Sequence, residues 1–234
     1  MKKSANVPAI EIKKMVANQA STSETKCIER QKLSMQCKYI ADDTITLRSL
    51  DWDRSRFDIE FGLRNGTTYN SFLIQGNNTA LIDTSHLKFK KDWFAALKEK
   101  IDITKIDYLI VSHTEPDHSG LIAYLLEKHP KIKIVASKIA IKFLENQVHL
   151  PFESIAVKSG DELDLGINKT SRIHHRIEFL STPNLHWPDT IFSFDYGTQI
   201  LFTCDAFGLH FCSKQLFDET REEIAQDFRF YYDC

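Results

Sequence analysis

One stretch of the chain restricts its fold more than any other. Ser112-His113-Thr114-Glu115-Pro116-Asp117-His118-Ser119-Gly120 follows directly on the apolar run Tyr108 to Val111. Four side chains able to bind a metal, His113, Glu115, Asp117 and His118, therefore fall within six residues between a strand and a helix. Pro116 fixes its own φ and biases Glu115 towards extended backbone, so the loop is expected to hold its shape without secondary structure. A helix cap rarely needs two imidazoles and two carboxylates together. The segment reads as a metal-ligand loop, and a fold that displays it must supply a buried strand beneath.

Two further segments repeat the placement. His186 lies in Thr182-Pro183-Asn184-Leu185-His186-Trp187-Pro188-Asp189, just past a strand ending at Leu180. Asp205 follows Leu201-Phe202-Thr203-Cys204. Ligands from three strand ends on one rim are how a sheet builds a site. Three imidazoles (His113, His118, His186) and three carboxylates (Glu115, Asp117, Asp205) form a hard, anionic set that suits iron or manganese better than thiolate-rich zinc. Two adjacent cations repel and need bridging anionic charge, a role assigned to Asp205. Cys204 reads as a small buried hydrophobe.

Around these segments the pattern is that of a sheet sandwich. Phe57, Ile59 and Phe61 alternate with polar residues, Asn65-Gly66 signals a turn, and Tyr69 to Ile74 and Ala80 to Ile82 continue an antiparallel meander. Phe89, Trp93, Phe94 and Leu97 share one face of a helix over 88–100. Ile132 to Ala136, a helix over 138–146, and strands near Ile155, 178–180, 191–194 and 200–203 follow. A helix over 121–127 is expected to be capped by Ser119, and 168–176 reads as a surface loop. Helices placed among antiparallel strands give an α/β (α+β) fold, an αββα sandwich.

Residues 1–42 are read as a separate flexible arm, and 43–234 as the folded domain. Eight basic and three acidic residues precede Tyr39, without aromatic residues. A Ser-rich arm also has the composition of a chloroplast transit segment, although it prefers Lys to Arg and carries Glu11, Glu24 and Glu29. A net charge of −2 gives no reason to expect nucleic acid or an anionic membrane as partner, and no apolar run is long enough to span a bilayer. Five irregularly spaced cysteines indicate free thiols and a reducing compartment, which leaves the Asn65-Gly66-Thr67 glycosylation triplet idle. The expected location is the cytoplasm, or the chloroplast stroma if the arm is a transit segment.

With these residues in hand, the chain resembles the flavodiiron proteins. The metallo-β-lactamase superfamily usually carries His-x-His-x-Asp-His in this loop; flavodiiron proteins carry His-x-Glu-x-Asp-His, which His113 to His118 spell. Leu180 to Thr190 and Leu201 to Gly208 are similar to that family's next two ligand segments. Arg48 to Asp53 and Phe57 to Ile74 are similar to its photosynthetic, cyanobacterial-type branch. The resemblance implies two iron ions, one held by His113, Glu115 and His186 and the other by Asp117, with Asp205 bridging and the part of His118 left open. It implies that Asp83 supports the ligand loop. It also implies reduction of O2 to water or of NO to N2O, electrons from FMN, and a homo- or heterodimer with a flavodiiron subunit. The family's further iron-binding His, its flavodoxin-like FMN domain and the branch's flavin reductase domain have no counterpart in these 234 residues, so the expected chain is a truncated core, inactive alone. His86, His129, His149, His174, His175 and His210 sit in no matching motif and read as solvated or structural. Two other readings stand beside this one: a zinc hydrolase of the same fold, against which Glu115 argues, and an inactive subunit that binds a full-length partner.

Overall fold

The structure, a computed structural model, describes residues 33–57, 62–217 and 222–233. Two sheets pack face to face. The first has seven strands in sequence order: β1 (Ser34–Ala41), β2 (Thr44–Asp51), β3 (Thr67–Gln75), β4 (Thr79–Ile82), β5 (Tyr108–Val111), β6 (Lys133–Ser137) and β7 (Glu153–Val157). The second has the order β11 (Ile200–Phe202), β10 (Ile191–Asp195), β9 (His174–Ser181), β8 (Glu162–Ile167). β1 to β4 form an antiparallel meander, β4 to β7 are parallel, and the second sheet is antiparallel.

Three of the parallel strands, β4, β5 and β6, alternate with period two between two cores, which makes Ala80 to Ile82, Leu109 to Val111 and Ile134 to Ala136 unbroken apolar runs; the edge strand β7 is exposed up to Val157. Leu81, Leu109, Val111, Ile134 and Ala136 pack towards the helices, in the cluster that holds Phe89, Trp93, Leu97, Leu125 and Leu144. Ala80, Ile82, Ile110 and Val135 face the other way, against Leu165, Ile177, Phe179, Ile191 and Phe202 of the second sheet. The helices α1 (Lys90–Lys100), α3 (Ile122–Lys128) and α4 (Lys138–Val148) supply the outer core, and α5 (Glu222–Asp233) follows the second sheet. Burial leaves the Trp93 indole N–H in need of an acceptor, and it donates to Ser71 Oγ at 2.8 Å. Ser137 caps α4, its Oγ accepting from Ala140 N at 3.0 Å. This is the expected sandwich, except that β4 to β7 run parallel and not antiparallel, because a helix crosses over between successive strands. No helix among the described residues is long and apolar enough to cross a membrane.

Several local expectations need correction. The arm does not reach residue 42, because Ser34–Ala41 forms the edge strand β1, with Met35 and Cys37 packed on the helix-side core. The rest of the proposed arm lies outside the described residues. So does most of the expected Phe57 to Phe61 strand; Phe57 itself is in a bend, its ring 4.2 Å from that of His210. Ser119 does not cap α3: Leu121 occupies that position, and the Ser119 hydroxyl donates to the carbonyls of Thr114 and Glu115. The surface loop ends before His174, where β9 begins.

Gly66 shows how tightly the meander turns. Its φ is +64°, and a Cβ there would sit 2.4 Å from the Asp51 carbonyl oxygen. Gly66→Ala is therefore expected to destabilise the domain by more than the roughly 1–2 kcal/mol of a left-handed L-residue alone. A lower urea midpoint with an unchanged m-value would show it.

Candidate metal centre

The ligand loop is anchored from below. Asp83 follows directly on β4; its backbone adopts φ +57° and its Oδ1 accepts Ser112 N–H at 2.8 Å. Thr84 N–H and hydroxyl both donate to the His118 carbonyl oxygen. Contrary to the expectation of an irregular loop, Pro116–Ser119 forms a single helical turn, α2. The fixed φ of Pro116 suits the first helical position, where a missing N–H costs nothing. That turn points Asp117 and His118 inwards, both less than a tenth exposed.

The other two loops are tied to the first. Ile191 N–H donates to the Ser112 carbonyl, and buried Asp189 Oδ2 accepts both Thr114 N–H (2.9 Å) and Thr114 Oγ1–H (2.8 Å). Sequence reasoning gave Asp189 no part, although it sets the loop of His186 against that of His113. The turn after β11 closes through Ala206 N–H to Thr203 O and Gly208 N–H to Asp205 O, with Cys204 at φ +54°.

These anchors bring the candidate ligands together around Asp205. Its Oδ2 lies 3.5 Å from His113 Nε2 and its Oδ1 lies 3.0 Å from His118 Nε2. On one side Glu115 Oε2 is 3.3 Å from both His113 Nε2 and His186 Nε2. On the other, Asp117 Oδ2 is 3.4 Å from His118 Nε2. Asp83 Oδ2 stands behind, 3.3 Å from His118 Nδ1. Two sets of ligand atoms are close enough to share a cation: Glu115, His186 and Asp205, and His113, His118, Cys204 and Asp205. The latter includes Cys204, whose side chain reaches the imidazoles and does more than fill core space.

The charges in this pocket interact strongly. Burial opposes the ionised form of His113, yet Cys204 and the hydrogen bonds from Asp205, Cys204 and Glu115 raise it to about 12. His118 is raised in the same way by Cys204, Asp205 and Asp117 against its burial. Burial would lift Glu115, but the hydrogen bonds of His113 and His186 hold it near about 2. Burial pushes Asp117 up to about 6, with Asp205 and Glu115 adding to it against the pull of His118. Burial likewise opposes charge on Asp205, but His118 and His113 hold it well below the carboxylate range. The carboxylates around the two imidazoles thus favour positive charge where a cation would sit. Asp117 Oδ1 is buried without a hydrogen-bond partner, and such an oxygen is what a hard cation would use. The donor set fits metal.

A pH dependence follows. A metal must displace the protons of His113 and His118, so loading is expected to release about two protons per chain and affinity to rise with pH. Calorimetry in buffers of different ionisation enthalpy measures that release.

The family model described as ODP family beta lactamase matches residues 67–233. A curated relative, putative diflavin flavoprotein A 2 of Synechocystis sp., is 56% identical over 91% of this chain, which spans 36% of that protein's length. Among solved structures, a metal-soaked Flv1 flavodiiron core from Synechocystis sp. superposes with a TM-score of 0.79, at 34% identity over 87% of this chain and 50% of its own. Rubredoxin oxygen:oxidoreductase from Desulfovibrio gigas gives a TM-score of 0.76, at 31% identity over 84% of this chain and 48% of its own. The sandwich, the His-x-Glu-x-Asp-His loop and these matches agree: the chain belongs to the flavodiiron proteins, in their ODP, β-lactamase-like domain.

Proposed function

We propose that this chain supplies the diiron centre of an oxidoreductase that reduces O2 to water, or NO to N2O, with electrons from an FMN carried on another domain. The observation that carries the reading is Asp205, one of whose oxygens lies by His113 Nε2 and the other by His118 Nε2. A bridging carboxylate has that placement. His113, Glu115 and His186 would hold one ion, and Asp117 with His118 the other, with Asp205 shared between them. When bound, the iron pair supplies adjacent open positions and electrons for a diatomic substrate.

The protein's own part is orientation. Glu115 holds His113 and His186 through one oxygen. Trp187 lies edge-on to His113, ring centroids 5.7 Å apart, and limits its rotation. His186 is 43% exposed while His113 is 1% exposed, so substrate and electrons would approach from the His186 side. The flavin would sit there, on a domain of a homo- or heterodimeric flavodiiron subunit. The free thiols Cys37, Cys204 and Cys212 suit a reducing compartment, and we place the protein in the cytoplasm.

Anaerobic titration with Fe(II), followed by electron paramagnetic resonance of the half-oxidised state, tests the reading. A spin-coupled iron pair is expected. A chain that prefers zinc and hydrolyses esters or thioesters would overturn it.

A further inference from the structure

Cys204 has no place in the proposed ligand set, yet its conformation is a costly one. At φ +54° it occupies backbone space that glycine enters freely and L-residues rarely adopt. What distinguishes Cys204 from a glycine at this turn is its sulfur. That sulfur lies 3.2 Å from His113 Nδ1 and 3.5 Å from His118 Nδ1. Both rings turn their other nitrogen, Nε2, to Asp205. One thiol therefore stands behind two imidazoles whose front nitrogens share one carboxylate.

A neutral imidazole has one N–H, and the nitrogen that binds a metal must be the other one. Sulfur accepts an N–H weakly, and its own S–H has Asp83 Oδ2 at 3.8 Å and Asp205 Oδ1 at 4.0 Å as acceptors. The opposite oxygen of Asp83 is held by Ser112 N–H. The chain of contacts runs from backbone to carboxylate to thiol to imidazole, the arrangement by which outer partners fix the tautomer and rotation of a metal-binding His.

We propose that Cys204 is a positioning residue of the metal centre, its sulfur accepting Nδ1–H from His113 and, together with Asp83, from His118, so that both rings present Nε2 to Asp205. The proposal rests on the diiron reading. Sulfur lies on the Nδ1 side of both rings, behind the Nε2 nitrogens that face Asp205, and this placement makes it a support for the ligands.

Cys204→Gly and Cys204→Ser separate this role from a structural one. Glycine relieves the backbone and removes the acceptor; serine keeps a smaller acceptor. Fe(II) affinity is expected to fall about 10–100-fold in Cys204→Gly and less in Cys204→Ser. The urea midpoint of Cys204→Gly should stay level or rise. In the Zn(II)-loaded wild type, 15N shifts should report Nδ1–H on His113, and in Cys204→Gly a mixture of forms. Wild-type affinity in Cys204→Gly, a lowered midpoint that accounts for the loss, or a thiolate-to-metal absorption band in the Co(II) form would each overturn the proposal. His113→Ala is the control for the underlying reading. If wild type takes up no ion, or His113→Ala binds as wild type does, the diiron reading falls and the proposal with it. If wild type loads, His113→Ala does not, and Cys204→Gly loads fully, only the role of Cys204 is refuted.

Discussion

Asp205→Ala is expected to weaken divalent-metal binding by more than about 100-fold, since partners one step removed from a ligand already cost about 10–100-fold. The reason is geometric. Asp205 is the carboxylate whose oxygens approach both His113 Nε2 and His118 Nε2, so in the proposed centre its loss would remove a donor from each ion and the anionic charge between them. Glu115 and His186 remain joined and can still hold a single ion weakly. Iron per chain after anaerobic loading should therefore drop to at most one. Asp205→Asn, which keeps the shape and one carbonyl oxygen, should lie between. Full loading of Asp205→Ala would remove the bridging assignment.

The largest expected loss of stability lies elsewhere, at His175. Its ring is fully enclosed, with Nδ1 2.8 Å from Asp195 Oδ2 and Nε2 3.5 Å from Asp43 Oδ2. Asp43 sits in the β1–β2 turn of the first sheet and is bonded to Ser171, while His175 and Asp195 belong to β9 and β10 of the second. The cluster joins the sheets far along the strands from Asp205. His175→Ala leaves two enclosed or half-enclosed carboxylates facing a void and is expected to cost about 3–5 kcal/mol.

Burial opposes charge on His175, but Asp195 and then Asp43 raise its pKa. Its stabilisation is thus complete below the ordinary histidine range and fades as pH climbs through the raised value. Burial opposes charge on Asp195 as well, but His175, Thr198 and the Gly197 N–H lower its pKa, so its share is present above the ordinary carboxylate range and fades in acid. Urea midpoints of wild type and His175→Ala should differ most near mildly acidic pH and converge in alkali. A gap that widens with pH would contradict the assignment.

Legibility along the chain followed physical clarity. The inner strands β4, β5 and β6 were plain as strands because burial on both faces makes them apolar runs, as in Tyr108 to Val111, but their parallel direction was not, since the helices were read as lying among antiparallel strands. The three loops of the candidate centre were plain because chemistry-bearing residues sit immediately past such runs. β1 was not, since an edge strand pairs on one side only and tolerates Ser34, Gln36 and Lys38. β8 was hidden by Glu162, Asp164 and the register shift between Asp164 and Gly166. Cys204 was misjudged because a thiol inside an apolar run looks like core, and only its positive φ turns the side chain towards the imidazoles. Asp189 offered no signal of its own, because its partner Thr114 is 75 residues away in sequence. The fully enclosed His175 needed Asp43, from another sheet, before its role could be seen.

The loop that carries His113 and Glu115 springs from the seven-stranded sheet, whereas those of His186 and Asp205 spring from the four-stranded one. Cations held between them would act as rivets across the layers, tightening the join between the halves as well as equipping it for chemistry. Thermal resistance and slow amide exchange at the inner strands should then climb together with metal occupancy, and a chelator should loosen the layers before it unravels either one.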